Sequence, residues 1–493
     1  MIELPAIPNR CLSTGGEPPG TPLPARYNSS FAFGRNGVRG SRTRPRGDGK
    51  NHPRRCKLRS SVRLAILLVG VGSFPASAQD TPIAFTGAMI IPIVGSPIED
   101  GTLVVHRGKI IAVGPATSVS ISADAQRIRA AGEVIMPGLI CTHSHIGGIG
   151  GADSSAPIQP DIRIYDSLNV RDSGFKRALA GGLTTLNIMP GSGHLLSGQT
   201  VYVKLRQAET IEDFFIRDAD GNSLGGMKMA NGTNSMSEKP FPETRSKSAA
   251  LVREQYIKAQ EYRDKIVRAA GDPTKIPARD LAMEGLGEVL ERKRIVHHHT
   301  HRHDDIITVL RLAKEFNFRV VLHHVSEGWK VADEIAKAGV PCSVIVVDSP
   351  GGKLEASEMT FQTGAILEKA GVLVAFHTDD WITDSRVFFR SAALAVRAGM
   401  TRDGALEALT IAGAKMLDLD ARIGSLEVGK DADFIILNGD PLSVYTKVVE
   451  TWVEGRKRFD RSDPKDLLYA VGGYGAGRDQ SPYFCCFDHP EGQ

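Results

Sequence analysis

The sequence predicts an α/β protein built on a parallel (β/α)8, or TIM, barrel, with β-rich stretches on either side of it. Strands alternate with helices through the middle of the chain. Eight strand-like runs can be counted there. The polar residues able to do chemistry stand at the C-terminal ends of those runs, where the active sites of such barrels sit.

The elements follow in chain order. Residues 1–56 are rich in Pro, Gly and Arg with no apolar period; they cannot bury a core and read as a disordered leader. Residues 57–78 have a basic start (Lys57, Arg59, Arg63), an apolar stretch from Leu64 to Val71 and a small-residue end, Ala76-Ser77-Ala78. That is the layout of a secretory signal cleaved after Ala78, and it predicts a secreted or periplasmic protein. The apolar run is short for a bilayer span, so an uncleaved anchor is the lesser alternative. No Met falls between Met1 and Met89, which suggests a non-AUG start near Leu58 or Val62 and an untranslated 1–56.

The chain of 493 residues is long enough for a large core and more than one compact unit. Its net charge of +4 hides an asymmetry: residues 1–78 carry 13 Lys/Arg and 3 Asp/Glu, the rest 47 and 53. The body is mildly acidic and has no basic patch, which argues against nucleic acid as a partner.

Residues 79–134 hold short apolar runs broken by Gly, Pro and Asp, the mark of hairpins. Residues 419–460 have the same character. Between them the strand candidates are 134–143, 183–189, 199–205, 226–231, 294–299, 318–324, 342–347 and 372–378. Helical patterns follow most of them, and a long helical insert, 247–292, separates the fourth from the fifth. Asp304 and Glu327 stand near helix starts, where negative charge is favoured. The tail, 461–493, reads as irregular. Of six cysteines, Cys11 and Cys56 lie in the leader, Cys141 and Cys342 read as buried thiols, and Cys485-Cys486 lie in the tail. They make neither a disulfide framework nor a zinc knuckle.

The first strand candidate runs into "CTHSH", and in a strand His143 and His145 point to one face. The fourth contains Lys228, the fifth runs into "HHHTHRH", the sixth ends in His323-His324 and the eighth in "FHTDD". Four of the eight strand ends carry His and another a Lys, a placement that scattered surface histidines would not favour. Imidazoles and a carboxylate suit zinc with an open position for water. The metal lowers the pKa of that water, and a nearby carboxylate can shuttle its proton. If strand five continues, His297, His299, His301 and His303 share a face. His323 and His324 should point to opposite faces, so that one of them looks into the barrel.

Together "GLICTHSH", "GMKMANG", "VHHHTHRHDDI", "VVLHHVSEG", "VAFHTDD" and "RIGSLEVGKDADFIILNGDPL" resemble the amidohydrolase superfamily. The likeness is to the group related to imidazolonepropionases and to metal-dependent Xaa-Arg/Lys or prolyl-type dipeptidases, over roughly 83–460. It implies a barrel domain, 135–418, joined to a small β-sandwich built from both ends, 79–134 and 419–460. Carried over by position, it implies that His143 and His145 hold one metal and His299 and His324 a second. Lys228 would bridge the two as a carbamate, since a free ammonium cannot ligate a cation. Asp379 would ligate the first metal and act as general base, then acid. The implied cofactor is a divalent metal, as two Zn. One departure is "NGTNSMS" after strand four, where relatives often carry a Gly-Glu-Asn-Pro-like run.

His194, Gln199, His301, Arg302 and Arg386 follow strand ends and are candidates to touch substrate. A basic residue there could grip a carboxylate in bidentate fashion; an ordinary loop role or ion pair is the plainer reading. The first functional reading is a secreted hydrolase of an amide, cyclic amide or dipeptide C–N bond. A mononuclear aminohydrolase deaminating a heterocycle is the alternative, ranked lower because Arg302 stands where that class has an acid. A non-catalytic zinc-binding barrel is the third, and Asp379 argues against it. The implied partner is a small-molecule or dipeptide-like substrate, with no membrane span after signal cleavage; a homo-oligomer is compatible with the sequence.

Overall fold

The computed structural model describes residues 81–473 and 476, apart from 149–152, 154, 238–239, 350 and 381. The leader, the signal segment and Cys485-Cys486 lie outside the described residues.

Hairpins open the described residues. β1 (Ile83–Ile90) pairs antiparallel with β2 (Ile98–His106), and β2 with β3 (Lys109–Pro115). The β2–β3 turn is Arg107-Gly108, both at positive φ (50° and 78°), the twist that a two-residue hairpin requires. β4 (Gln126–Arg129) and β5 (Val134–Pro137) then run parallel to β1.

The middle of the chain supplies the strands that carry the site. β6 (Leu139–Ser144) and β7 (Leu183–Ile188) are parallel, joined through α1 (Ser173–Ala180), whose N-cap Asp172 accepts the Gly174 N–H at 2.7 Å. β8 (Leu196–Gln199) and β9 (Val201–Lys204) follow, then β10 (Met227–Ala230). From β10 the sheet runs in parallel register through β11 (Val296–Thr300), β12 (Val320–His324), β13 (Cys342–Val344) and β14 (Val374–Phe376). The hydrogen-bonded sheets are β6-β7-β9 and β14-β13-β12-β11-β10-β8. The Asp379 N–H donates to the His143 carbonyl at 3.1 Å, tying the segment after β14 to β6.

The third strand corrects the sequence expectation. Residues 199–205 were expected to run parallel; β9 is antiparallel to β7 and β8 is antiparallel to β10. A parallel return needs a crossover, usually a helix, and no α-helix lies between β7 and β10. The expected insert 247–292 is two helices, α2 (Arg245–Ala269) and α3 (Leu281–Leu290). They part at Ala270 and Gly271, both left-handed, ahead of Pro273. After β11 the helices are α4 (His303–Phe316), α5 (Ala332–Ala338), α6 (Thr363–Lys369), α7 (Phe389–Arg397), α8 (Arg402–Ala408) and α9 (Ile411–Met416). No helix among the described residues is long and apolar enough to cross a membrane.

The chain then returns to its start. β15 (Phe434–Leu437) pairs antiparallel with β5 and with β16 (Val448–Val453), and β16 with β17 (Arg456–Asp460). Both ends of the body therefore share one eight-stranded sheet, with its own core around Phe85, Phe434 and Trp452. The tail was expected to be irregular; its described part holds α10 (Pro464–Val471), because Asp463 caps it and Pro464 starts it with φ already set.

Beneath this sheet a fully buried Lys204 on β9 binds Asp431, lies 3.0 Å from Asp433 Oδ2 and 3.4 Å from Glu454 Oε1. Lys204 holds Asp431 down to about 2, against the opposing effect of burial. Glu454 is likewise down to about 2, through Arg206 and Lys204, whereas burial pushes Asp433 up. Replacing Lys204 by Met should cost about 3–5 kcal/mol at pH 7, read from urea denaturation, because it leaves the buried Asp433 without its cation, whereas Asp431 keeps Lys109 and Arg422 and Glu454 keeps Arg206. The Asp431 and Glu454 contributions have the sign of depressed acids. They are complete above the unfolded values near 4 and should vanish as pH falls through about 2.

Candidate metal centre

Every residue of β6 is buried, so the pleat carries His143 inward and the strand end delivers His145 beside it. Their Nε2 atoms lie 3.1 Å apart. His145 Nδ1 is 2.9 Å from the Met189 carbonyl, which fixes its proton on Nδ1 and turns the Nε2 lone pair to the site. Asp379 Oδ1 lies 3.0 Å from His145 Nε2 and 3.4 Å from His143 Nε2. Lys228, wholly buried on β10, brings Nζ to 3.3 Å from His143 Nε2. Asp380 holds this corner together: it accepts from Ser144 Oγ at 2.6 Å, Thr378 Oγ1 at 2.8 Å and Ser385 Oγ.

A second group joins His299, His301 and His324, with one ligand atom of each within 4.8 Å of the others. His301 Nδ1 meets Ser326 Oγ at 2.7 Å and His324 Nδ1 meets His377 Nε2 at 3.1 Å. The Nε2 atoms of His301 and His324 are buried without a hydrogen-bond partner. His143, His324 and His377 form a third such grouping, and His143, His145 and Asp379 the first. His299 differs, its Nε2 lying 3.2 Å from Lys353 Nζ.

The backbone bends to make this convergence. His324 (φ 70°), Val325 (44°) and Asp379 (47°) are left-handed without being glycine. This corrects the expectation that only one of His323 and His324 can look inward. His323 follows the pleat and meets His143 and His297, while the left-handed turn at His324 swings its ring to the same interior.

Burial holds the imidazoles neutral. It lowers His143, His299, His301, His323 and His324 well below the usual value, helped at His143 by the Lys228 charge and at His299 by Lys353. It brings His297, His298 and His377 to about 3. The Cys141 thiol, buried beside Thr378, is pushed up to about 12 and is inert.

The substrate candidates divide. His301 stands in the centre and shares a pocket with His324, Asp379, Ser326 and Lys353. His194 is buried, its ring 5.2 Å from that of Phe241, and burial lowers its pKa. Gln199 gives its amide to the Pro160 carbonyl, Arg302 pairs with its neighbour Asp304, and Arg386 with Asp384. Sequence reasoning missed Lys353, buried in the loop after β13, where no strand pattern signals it. It also left His377 without a role, although its place in "FHTDD" was the available signal. The unusual "NGTNSMS" segment docks on that same loop, through the Thr233 N–H to Glu355 at 2.8 Å.

Neutral imidazoles, an adjacent carboxylate and buried Nε2 atoms without partners suit a divalent cation, and the donor set fits zinc.

The amidohydrolase family model matches residues 134–458. A solved amidohydrolase from Thermotoga maritima MSB8 is 33% identical with a TM-score of 0.72, covering 77% of this chain and all of its own. Amidohydrolase tasK of Hapsidospora irregularis is 26% identical over 412 residues, 75% of this chain. The match spans only 42% of that relative's length. A 5-methylthioadenosine/S-adenosylhomocysteine deaminase of Symbiobacterium thermophilum is 22% identical over 73% of this chain and 85% of its own.

Without metal, the buried imidazoles should make the protein acid-sensitive. Between pH 6.5 and about 3 the unfolded chain binds protons that His297, His298 and His377 refuse in the fold. Stability of the metal-free protein, followed by urea midpoints, should therefore fall steadily from pH 7 to pH 4. Their ring NMR signals should not titrate over that range.

Proposed function

The chain belongs to the amidohydrolase family, and from that premise we propose that it hydrolyses a carbon–nitrogen bond of an amide, cyclic amide or dipeptide. The observation that carries this reading is Asp379, whose carboxylate reaches both His143 and His145 at the mouth of an imidazole-lined site. The proposed fold is the family's barrel, closed through β8 and β9, with the shared terminal sheet acting as its β-sandwich. His143, His145 and Asp379 would hold one divalent cation, and His299, His301 and His324 a second. Lys228, carboxylated, would link them. When bound, such cations lower the pKa of a water and polarise a carbonyl.

The residues do the rest. Asp379 takes the proton of the attacking water and returns it to the departing nitrogen, a shift that its left-handed backbone and the His143 carbonyl aim. Burial keeps His143 unprotonated and available as a ligand. Residues 57–78 support secretion of this enzyme. A mononuclear aminohydrolase is the second reading, favoured by the likeness to a deaminase.

Elemental analysis of protein purified with bicarbonate should give about two metals per chain, falling to about one in Lys228→Ala. One metal, indifferent to Lys228, would favour the aminohydrolase. Asp379→Asn should lower kcat about 10²–10⁴-fold in a dipeptide and lactam screen.

A further inference from the structure

In the second grouping of histidines, one ligand atom is already taken. Lys353, buried in the loop after β13, brings Nζ to 3.2 Å from His299 Nε2. An ammonium only donates, so His299 Nε2 accepts. A neutral imidazole has one lone pair, and its proton then stands on Nδ1, which meets no partner among the described residues. Neither nitrogen of His299 can ligate while Lys353 is bonded to it.

A second place for the ammonium lies alongside. Glu355, also buried, sets Oε1 3.3 Å from Lys353 Nζ. That oxygen accepts no hydrogen bond among the described residues. Oε2 of the same carboxylate is committed, accepting from the Thr233 N–H at 2.8 Å and from Arg245 Nη2 at 3.3 Å. One ammonium thus stands between an imidazole that it occupies and a carboxylate oxygen with room for it.

We propose that Lys353 competes with the second cation for His299, so that this cation loads only as the ammonium turns from His299 Nε2 to Glu355 Oε1. The proposal rests on the two-cation reading above. Lys228 stands 3.3 Å from His143 Nε2, but there carboxylation would make the lysine a ligand. Lys353 has a carboxylate counter-ion instead and remains a rival. The centre therefore fills in order, the cation of His143, His145 and Asp379 first. The second binds more weakly, because an ammonium stays beside it in a buried cavity, where like charges repel more strongly than in water.

Zn²⁺ titrated into the metal-stripped full chain, with bicarbonate present and against a competing chelator, resolves the two binding events. In Lys353→Met the second affinity should rise at least about tenfold and the first change less than about twofold. Glu355→Gln should lower the second affinity: its amide carbonyl serves Thr233 and Arg245, its NH₂ faces the ammonium, and Lys353 keeps to His299. The opposite signs separate competition from packing, since a damaged loop would weaken binding in both variants. A second affinity unchanged or lower in Lys353→Met overturns the proposal, and so does one that does not fall in Glu355→Gln. Glu355→Gln decides alone should Lys353→Met fail to fold. Two Zn²⁺ held alike by all three proteins sink the proposal and leave the two-cation reading standing. A wild type and a Lys353→Met protein that both stop at one Zn²⁺ sink that reading, and the proposal with it.

Discussion

The interior is organised by the need of buried imidazoles to stay neutral and to bond at least one ring nitrogen. A neutral ring offers one donor and one acceptor, and leaving either against apolar atoms is costly. Once one histidine is buried at the end of β6, its far nitrogen demands a polar partner, and here that partner is another histidine. The demand passes from strand to strand until a serine, a carbonyl or a tyrosine ends it. His377 ends its branch on Ser343, which in turn meets Thr142 at 2.6 Å. The histidine-rich strands thus behave as a connected polar core inside an apolar shell, and the Nε2 atoms of His145, His301 and His324 face the cavity because their Nδ1 atoms are committed.

The backbone carries the complementary strain. Left-handed non-glycine residues cost about 1–3 kcal/mol each and persist only where surroundings over-determine them. Val325 is pinned by its N–H near the Thr300 and His323 carbonyls, at 3.0 and 2.9 Å, and Asp379 by the His143 carbonyl. The strain falls where two strands hand over their ligands, the place where a regular pleat would have sent alternate side chains apart.

Much of this was legible in the sequence, and the failures have physical causes. Strand periodicity placed His143, His145, Lys228 and the histidines of the later strands at strand ends, the family resemblance singled out His299, His324 and Asp379 among them, and these six do converge on one interior. The two faces assigned to His323 and His324 were wrong because periodicity presumes an extended backbone, and φ at His324 is not extended. The direction of the third strand was misjudged because an apolar run does not say which way its neighbours point. Arg302 and Arg386 each pair with an acid two residues away, the plainer of the two readings that the sequence offered for them. Lys353 sits in a loop, where no period exists to read.

The shared terminal sheet sets an order of assembly. β5 takes its hydrogen bonds from β1 on one side and from β15 on the other, almost 300 residues later in the chain. Lys204 likewise waits for Asp431 and Asp433. As the ribosome delivers the chain from its N-terminus, the early hairpins can close, but one edge of β5 and one buried-to-be ammonium stay open until almost the whole body has emerged. The unfinished edge is a template for any other strand, and it stands open longest in the nascent protein. A chaperone that shields β5 during that interval would guard a seam whose closure ties the early hairpins to the last strands.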